Sequence, residues 1–518
     1  MKIASAAVLT CTGLACVLGG CTVGPDFVRP EPAPVTRYTA TPLGPTVATP
    51  GSPGGEPQSF VEGEDIPARW WELFHSTALN ALVERALTKS SGLKAAEAAL
   101  ALAHENLLVQ RAAYYPAIAG SFTANHAKSS ADLSPTPSSG ALLYSLYTPA
   151  VSVAFVPDVF GLNRRLLESL QAQQQQSRFQ LEAAYLALSS NVVVSAIQEA
   201  ALRAQIVAAR AAIDLNERSV AILRQQKAHG YAGQLDLLTQ EAQLAQARAA
   251  LPPLLKQLAQ QRNLLAILAG ALPSEGLPEE FEFSQLQLPR ELPLSLPSRL
   301  IEHRPDVRQA EENLHAACAQ IGVAVANRLP NLTLTADAGQ SALTLGALTA
   351  SGEGFWDLGA VVTQPIFQGG ALMHKERAAR EAYQEAREQY RATVLVAFQN
   401  VADTLAALEH DATALQTAAA SAQAAEAALE LVRAQQRAGY ANSLQLISAE
   451  QTVQSAILAK VQAQFNRYAD TAALFQALGG GWWNRPDAAD ATDGRAKESG
   501  TSRMRPPRQQ LPLSVLQR

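Results

Sequence analysis

The sequence predicts a mainly α-helical protein. It is built from two copies of one long-helix unit, with a small set of strands that a single chain cannot close. Three observations carry this. Of 518 residues, 48% are hydrophobic, only 6% are aromatic and 17% are charged, and whole stretches are dominated by Ala, Leu and Gln, the composition of long helices. No proline occurs between Asp158 and Leu251 or between Ile366 and Arg485, although a helix-interior proline costs about 3 kcal/mol. The same landmarks recur in the same order in the two halves. The net charge of −5 disfavours a basic nucleic-acid binder. The apolar fraction excludes wholesale disorder. After the first twenty positions no apolar run reaches the length of about 18 residues that a bundle of membrane-spanning helices needs.

The N-terminus reads as an address. Lys2 is followed by an apolar or small stretch from Ile3 to Val17, then Leu18-Gly19-Gly20-Cys21, the pattern of a secretory signal over residues 1–20. Cys after Leu-Gly-Gly resembles the bacterial lipobox. That resemblance implies a diacylglyceryl group on the Cys21 thiol and an acyl chain on its freed amine. Thr22, rather than Asp, at the next position is permissive for the outer membrane. Each buried methylene adds about 0.8 kcal/mol, so several acyl chains anchor firmly. Of four cysteines, Cys11 and Cys16 leave with the signal and Cys21 is acylated, so Cys318 has no disulfide partner. An ordinary signal with an incidental Cys is the weaker reading, because the small residues and the Cys sit where the signal ends.

Residues 21–68 carry ten prolines from Pro25 to Pro67 and read as an extended, lipid-anchored linker that holds the protein off the lipid surface. Ordered structure is expected from Trp70-Trp71. The first repeat spans 69–290 and the second 291–483; the polar tail, 484–518, reads as disordered. The repeats align at Gly230-Tyr231-Ala232 against Gly439-Tyr440-Ala441, with Leu235, Leu237 and Glu241 opposite Leu444, Leu446 and Glu450. Tyr115-Pro116 answers Leu329-Pro330, and Phe160-Gly161 answers Phe367-Gln368-Gly369. Leu162 to Ala228 is 67 residues, about 100 Å of helix, and Ala371 to Ala438 is similar. Such helices need neighbours of equal length. Leu79–Ala113 with Leu235–Ala269, and Arg304–Arg328 with Leu444–Leu478, supply shorter helices stacked end to end beside them.

Strands are expected at Ala117–Lys128, Tyr147–Val156, Leu332–Gly339 and Trp356–Thr363. The last two alternate apolar and polar residues, as strands with two different faces do. Their length suits a tilted crossing of a bilayer. A soluble β-cap on the helices is the competing reading. If the strands lie in lipid, four of them leave open edges whose backbone groups go unpaired, so copies must share one barrel. The sequence does not count those copies.

The ordered set CTVGPDFVRP at Cys21, WWELF at Trp70, DVFG at Asp158, HGYAGQLDLL, LPSRLIEHRPDVRQAE from Leu296, IGVAVANRLPNLTL from Ile321, QPIFQGG at Gln364 and AGYANSLQLISAE at Ala438 resembles the outer-membrane efflux protein family. These are the TolC-like trimeric channels, here closest in pattern to the NodT-type lipoprotein branch. The resemblance implies a homotrimer with a long-helix α-barrel and a twelve-stranded transmembrane β-barrel, four strands from each chain. It implies a periplasmic adaptor protein, a proton-driven inner-membrane pump, outer-membrane lipid, and no nucleic acid, cofactor or catalytic step. The trimer would be a passive conduit for drugs or other small solutes. An outlet for type I protein secretion and a poreless surface-anchored coiled-coil lipoprotein are the alternatives.

The resemblance also places the periplasmic tip and gate at Gly230, Tyr231, Asp236, Gly439, Tyr440, Gln445 and Ser448. Asp236 falls on a family acidic position. Gln445 and Ser448 stand where the second half would carry acids, which weakens any aspartate ring. Glu241 and Glu450 read as solvated-face charges. Arg304-Pro305-Asp306 reads as a helix start. The eight histidines form no metal motif, no nucleophile motif is present, and Cys318 reads as packing, so no catalytic or metal residue is assigned.

Overall fold

The computed structural model describes residues 22–31, 35–128, 130 and 143–486. The signal, Cys21 and the tail from residue 487 lie outside the described residues. The described residues divide into two compact units: 22–31, 90–128, 130, 143–185 and 304–399 form one, and 35–89, 186–303 and 400–486 the other.

The elements in order are β1 (Ser59–Glu62), α1 (Thr77–Lys89), α2 (Ser91–Arg111), β2 (Ala117–Lys128), β3 (Leu143–Phe155), α3 (Leu162–Ala228) and α4 (Gln234–Leu268). The second half continues with β4 (Glu291–Leu294), α5 (Pro297–His303), α6 (Pro305–Ala326), β5 (Asn331–Gln340), β6 (Gly354–Thr363), α7 (Ala371–Arg437) and α8 (Ser443–Ala477). The repeat is exact in helix length. α3 and α7 have 67 residues each, α4 and α8 have 35 each, and Leu162, Gly230 and Gly270 reappear 209 positions later as Ala371, Gly439 and Gly479.

The helix expected from Leu79 to Ala113 is broken once, whereas the helix expected to start at Arg304 does start there, after the short α5. At Ser90 the backbone leaves the helical region and the side chain accepts from Leu93 N–H at 3.3 Å, starting a new helix after Lys89. At Arg304, Pro305 disfavours helical geometry in the residue before it, and Arg304 is extended (ψ 122°). α4, in contrast, runs through Pro252 and Pro253, both exposed. The carbonyls of Arg248 and Ala249 lose their ladder donors there, and both residues are exposed.

In the first unit the strands form one antiparallel sheet in the order β2-β3-β5-β6. Its register pairs Ile118 with Val153, Val153 with Ala336, and Ala336 with Leu358. The second unit has a two-stranded parallel sheet, β1 with β4. Its core is built on Ile66, Trp70, Phe74, Leu79, Leu82, Leu265, Phe281 and Phe475, all fully buried, with Trp70 stacked on Phe475 at 5.3 Å.

The proline-rich segment is not a free spacer. In the first unit Arg165, 3% exposed at its side chain, donates to the carbonyls of Val23 and Gly24 and pairs with Asp26 at 2.7 Å. Phe27 stacks on His315 at 4.3 Å and Arg29 pairs with Glu311 at 2.9 Å. In the second unit Gln58 is fully buried and donates to Pro289 O, and Arg467 donates to Thr46 Oγ1. Proline content made the segment extended, but its few polar and aromatic side chains pin it. At the C-terminal end Trp483, the last residue of the expected second repeat, stacks on His303 at 3.8 Å, and Asn484, one residue beyond it, donates to Ile66 O at 2.8 Å.

Candidate functional site

The sheet of the first unit has two chemically distinct faces. Ile118, Phe122, Tyr147, Val151, Val153, Leu332, Leu334, Trp356, Leu358 and Val362 share one, because the register keeps these alternate positions in phase across all four strands. Ile118, Trp356, Leu358 and Val362 are 66% or more exposed. The opposite face carries Ser121, Thr123, Thr148, Ser152, Thr335, Asp337 and Asp357, and Ser152 donates to the Asp337 carboxylate. An exposed apolar face backed by a polar one is the pattern of a strand between lipid and an aqueous lumen. β2 and β6 are the outer strands of the described sheet.

In the second unit the two glycine turns are built alike. Gly230 (φ 79°) and Gly439 (φ 81°) take the left-handed conformation that ends α3 and α7. Their N–H groups donate to Lys227 O and Gln436 O, and Tyr231 and Tyr440 N–H reach back to Gln226 O and Gln435 O at 2.8 Å. Tyr231 and Tyr440 are 84% and 86% exposed, with Leu235 and Leu444 exposed beside them.

Asp236 and Gln445 do the same structural task in the two repeats. Asp236 accepts from Gly233 N–H at 3.1 Å. Gln445 accepts from Asn442 N–H and donates its own N–H to Asn442 Oδ1, both at 2.9 Å. Each satisfies an orphan donor at a helix start. Gln445 and Ser448 also line an open cavity of about 480 Å³ between α7 and α8.

The expected solvated placement of Glu450 is corrected. It is 7% exposed and accepts from the Ser219 hydroxyl at 3.3 Å, and burial raises its pKa. Its repeat counterpart Glu241 pairs with Arg224 at 2.7 Å. The equivalent Arg433 instead pairs with Glu430 at 2.5 Å. Glu430 has Ala221 as its counterpart, so the difference was present in the sequence as a competing acid one turn before the arginine. Glu450 also borders a polar cavity of about 280 Å³ with Asn216, Gln243, Gln246, Gln451 and Gln454.

Arg304-Pro305-Asp306 starts α6, with Arg304 paired to Asp306 at 2.6 Å. Cys318 is buried, its thiol 3.8 Å from Pro25 O. Among the described residues no group of three or more His, Cys, Asp and Glu is placed to hold a metal ion.

Comparison with known proteins follows this geometry. A family model described as outer membrane efflux protein matches residues 82–271 and 296–480, one segment per repeat. The toluene efflux pump outer membrane protein TtgC of Pseudomonas putida is 28% identical over 92% of this chain and 95% of its own length. The outer membrane protein OprJ of Pseudomonas aeruginosa is 30% identical over 90% of this chain and 95% of its own. Among solved structures, the outer-membrane channel OprN matches with a TM-score of 0.77 at 26% identity, covering 89% of this chain and all of that one. The open-state MtrE outer membrane channel of Neisseria gonorrhoeae matches at 0.75 and 26%, covering 90% and 99%. With both repeats matched by the family model, the chain belongs to the outer membrane efflux protein family and is placed in the outer membrane.

Proposed function

We propose that three copies of this chain pool their four-stranded sheets into one twelve-stranded barrel, which opens into a tunnel lined by the long helices. The assembly is a passive conduit, and an inner-membrane proton-driven pump supplies the work. The single observation that supports this reading is the open sheet: one face apolar and exposed, the other polar, and two outer strands of ten or more residues. Lipid cannot satisfy those edges, and another copy of the same chain can.

The glycine turns are the periplasmic tip in this reading. Tyr231, Tyr440, Leu235 and Leu444 form an exposed apolar and aromatic surface there, suited to the helical hairpins of an adaptor protein. Gly230, Asp236, Gly439, Gln445 and Ser448 shape the tip and gate, with Asp236 and Gln445 acting first as caps. Cys21 carries the acyl anchor. Relatives named for toluene and antibiotic efflux point to small apolar or amphipathic solutes as the cargo.

The test is accumulation of a panel of dyes, antibiotics and solvents in cells with the gene deleted and restored. Raised accumulation on deletion, reversed by the intact gene, is the expected result; an unchanged panel contradicts the efflux reading.

A further inference from the structure

One helix junction of the second unit carries a polar set that its sister junction lacks. Where α3, α4 and α8 meet, Asn216, Ser219, Gln240 and Glu450 are each 8% exposed or less. Their repeat counterparts are Ala425, Ala428, Ala449 and Glu241. The sister contact of α7 with α8 is made by Ala422, Ala425 and Ala456 against Val453. Alanines are therefore enough to pack these helices. Burying amides and a carboxyl in their place costs free energy that packing does not return.

The hydrogen bonds of the set leave two of its oxygens unspent. Asn216 donates to Ala212 O at 2.8 Å and accepts from Gln240 at 2.9 Å, and Ser219 donates to Glu450 Oε1 at 3.3 Å. Gln240 Oε1 and Glu450 Oε2, both buried, accept no hydrogen bond of normal length and angle among the described residues. Asn216 and Glu450 line the cavity of about 280 Å³ noted above. Its other walls are of two kinds. Gln243 on α4 and Gln451 on α8 bring side-chain amides, with Gln451 donating to Gln243 at 3.0 Å, while Leu215 and Ile447 bring aliphatic surface.

The chemistry of these walls selects a ligand. One carboxyl among neutral amide oxygens matches a single positive charge, and an ammonium group brings three donors and no acceptor. Leu215 and Ile447 suit a short carbon chain. The volume falls just below the roughly 300–1,000 Å³ of common ligand pockets, which sets a small size. We infer that this cavity binds a small organic ammonium ion, its charge on Glu450 and its carbon chain against Leu215 and Ile447. The ion supplies the buried carboxyl with the close cation that Arg433, paired to Glu430, does not. The site lies within one chain and rests neither on the trimer nor on efflux.

The test titrates the full-length protein in mild detergent with n-butylammonium chloride by calorimetry at constant ionic strength. One saturable site per chain is expected, with a melting temperature raised by several degrees at saturation. Glu450→Gln should weaken binding about tenfold or more. Asn216→Ala, Ser219→Ala and Gln240→Ala combined write the sister junction's alanines into this one. That variant should keep the parent circular dichroism and lose the saturable site. Absence of saturable binding to the parent protein overturns the inference. Equal affinity for neutral 1-butanol also overturns it, since the cavity would then select carbon alone. Unchanged affinity in either variant that keeps the parent fold overturns it too, by placing the ion elsewhere on the chain.

Discussion

The Ser219 hydroxyl donates to the Glu450 carboxyl at 3.3 Å, while Arg433, whose repeat counterpart holds the matching glutamate, is turned away to Glu430. An acid one turn earlier takes the ion pair that the other repeat gives its glutamate, and Arg433 acts on the buried carboxyl only through space. Gln240, 1% exposed, shares the same junction of α3, α4 and α8 and donates to Asn216 at 2.9 Å.

Burial holds the Glu450 pKa above its ordinary 4.5, against the opposing pull of Arg433, Ser219 and Gln240. The folded chain therefore binds more protons than the unfolded one. Stability from this group is present below about pH 4.5 and falls as pH rises through the raised value. Glu450→Gln should remove that slope and raise the melting temperature at pH 8 more than at pH 4, below the ordinary carboxyl value. Each kcal/mol is worth about 2–4 °C in a unit of this size. An equal gain at both pH values would contradict the raised carboxyl. Scanning calorimetry over pH 4–8 reads the difference.

Asp236 is a cap before it is a charge. Asp236→Asn keeps an oxygen for Gly233 N–H and should leave efflux and tip order close to the parent. Asp236→Ala should loosen the first turn of α4 by about 0.5–2 kcal/mol. Hydrogen exchange of the amides following Gly233 measures this. Loss of gating in Asp236→Asn with normal exchange would show that the charge itself matters.

His315 is held charged. Hydrogen bonds to Glu168 and Glu312 raise its pKa to about 9, against burial that lowers it. A raised histidine pKa stabilises fully below about 6.5, and the effect is lost as pH rises through about 9. Phe27 stacks on this ring, so the segment around Val23–Arg29 should become protease-sensitive above pH 9 and, in His315→Ala, already at pH 7. Unchanged cleavage in the variant would show that Arg165 and Arg29 alone hold the segment.

The two faces of the sheet should respond oppositely to charge. Leu358→Arg places a cation on the apolar face and should cost about 2–4 kcal/mol if it lies near the bilayer midplane. Thr335→Arg places it on the polar face and should preserve assembly while altering ion selectivity. Heat-resistant oligomer on gels and single-channel conductance separate the two; equal losses would contradict the assignment of faces.

Much of this was legible in the residues. Proline-free runs and the recurring Gly-Tyr-Ala gave both long helices to within a residue, because each is bounded by glycines of positive φ, Gly161 and Gly230 for one and Gly370 and Gly439 for the other. Alternation at Leu332–Gly339 and Trp356–Thr363 gave the two-faced strands. What escaped depended on distant partners. The segment from Val23 to Pro67 looked like a spacer because its anchors are single residues, such as Phe27 and Gln58, whose partners are far away in sequence. The break at Ser90 escaped although Ser90, Ser91 and Gly92 are cap and breaker residues, because the apolar pattern resumes directly after them. Glu450 looked solvated because its burial is decided by Ser219 on another helix. The capping roles of Asp236 and Gln445 were visible as an acid or amide three residues after Gly233 and Asn442, a spacing that reads equally well as a tip charge.

The central claim is that one chain owns too few strands for its own pore. Its most direct measurement is the native mass of the full-length protein extracted from outer membranes in mild detergent. The account predicts three copies, with β6 of one chain cross-linkable to β2 of the next. A stable single copy whose β2 and β6 cross-link to each other would contradict it.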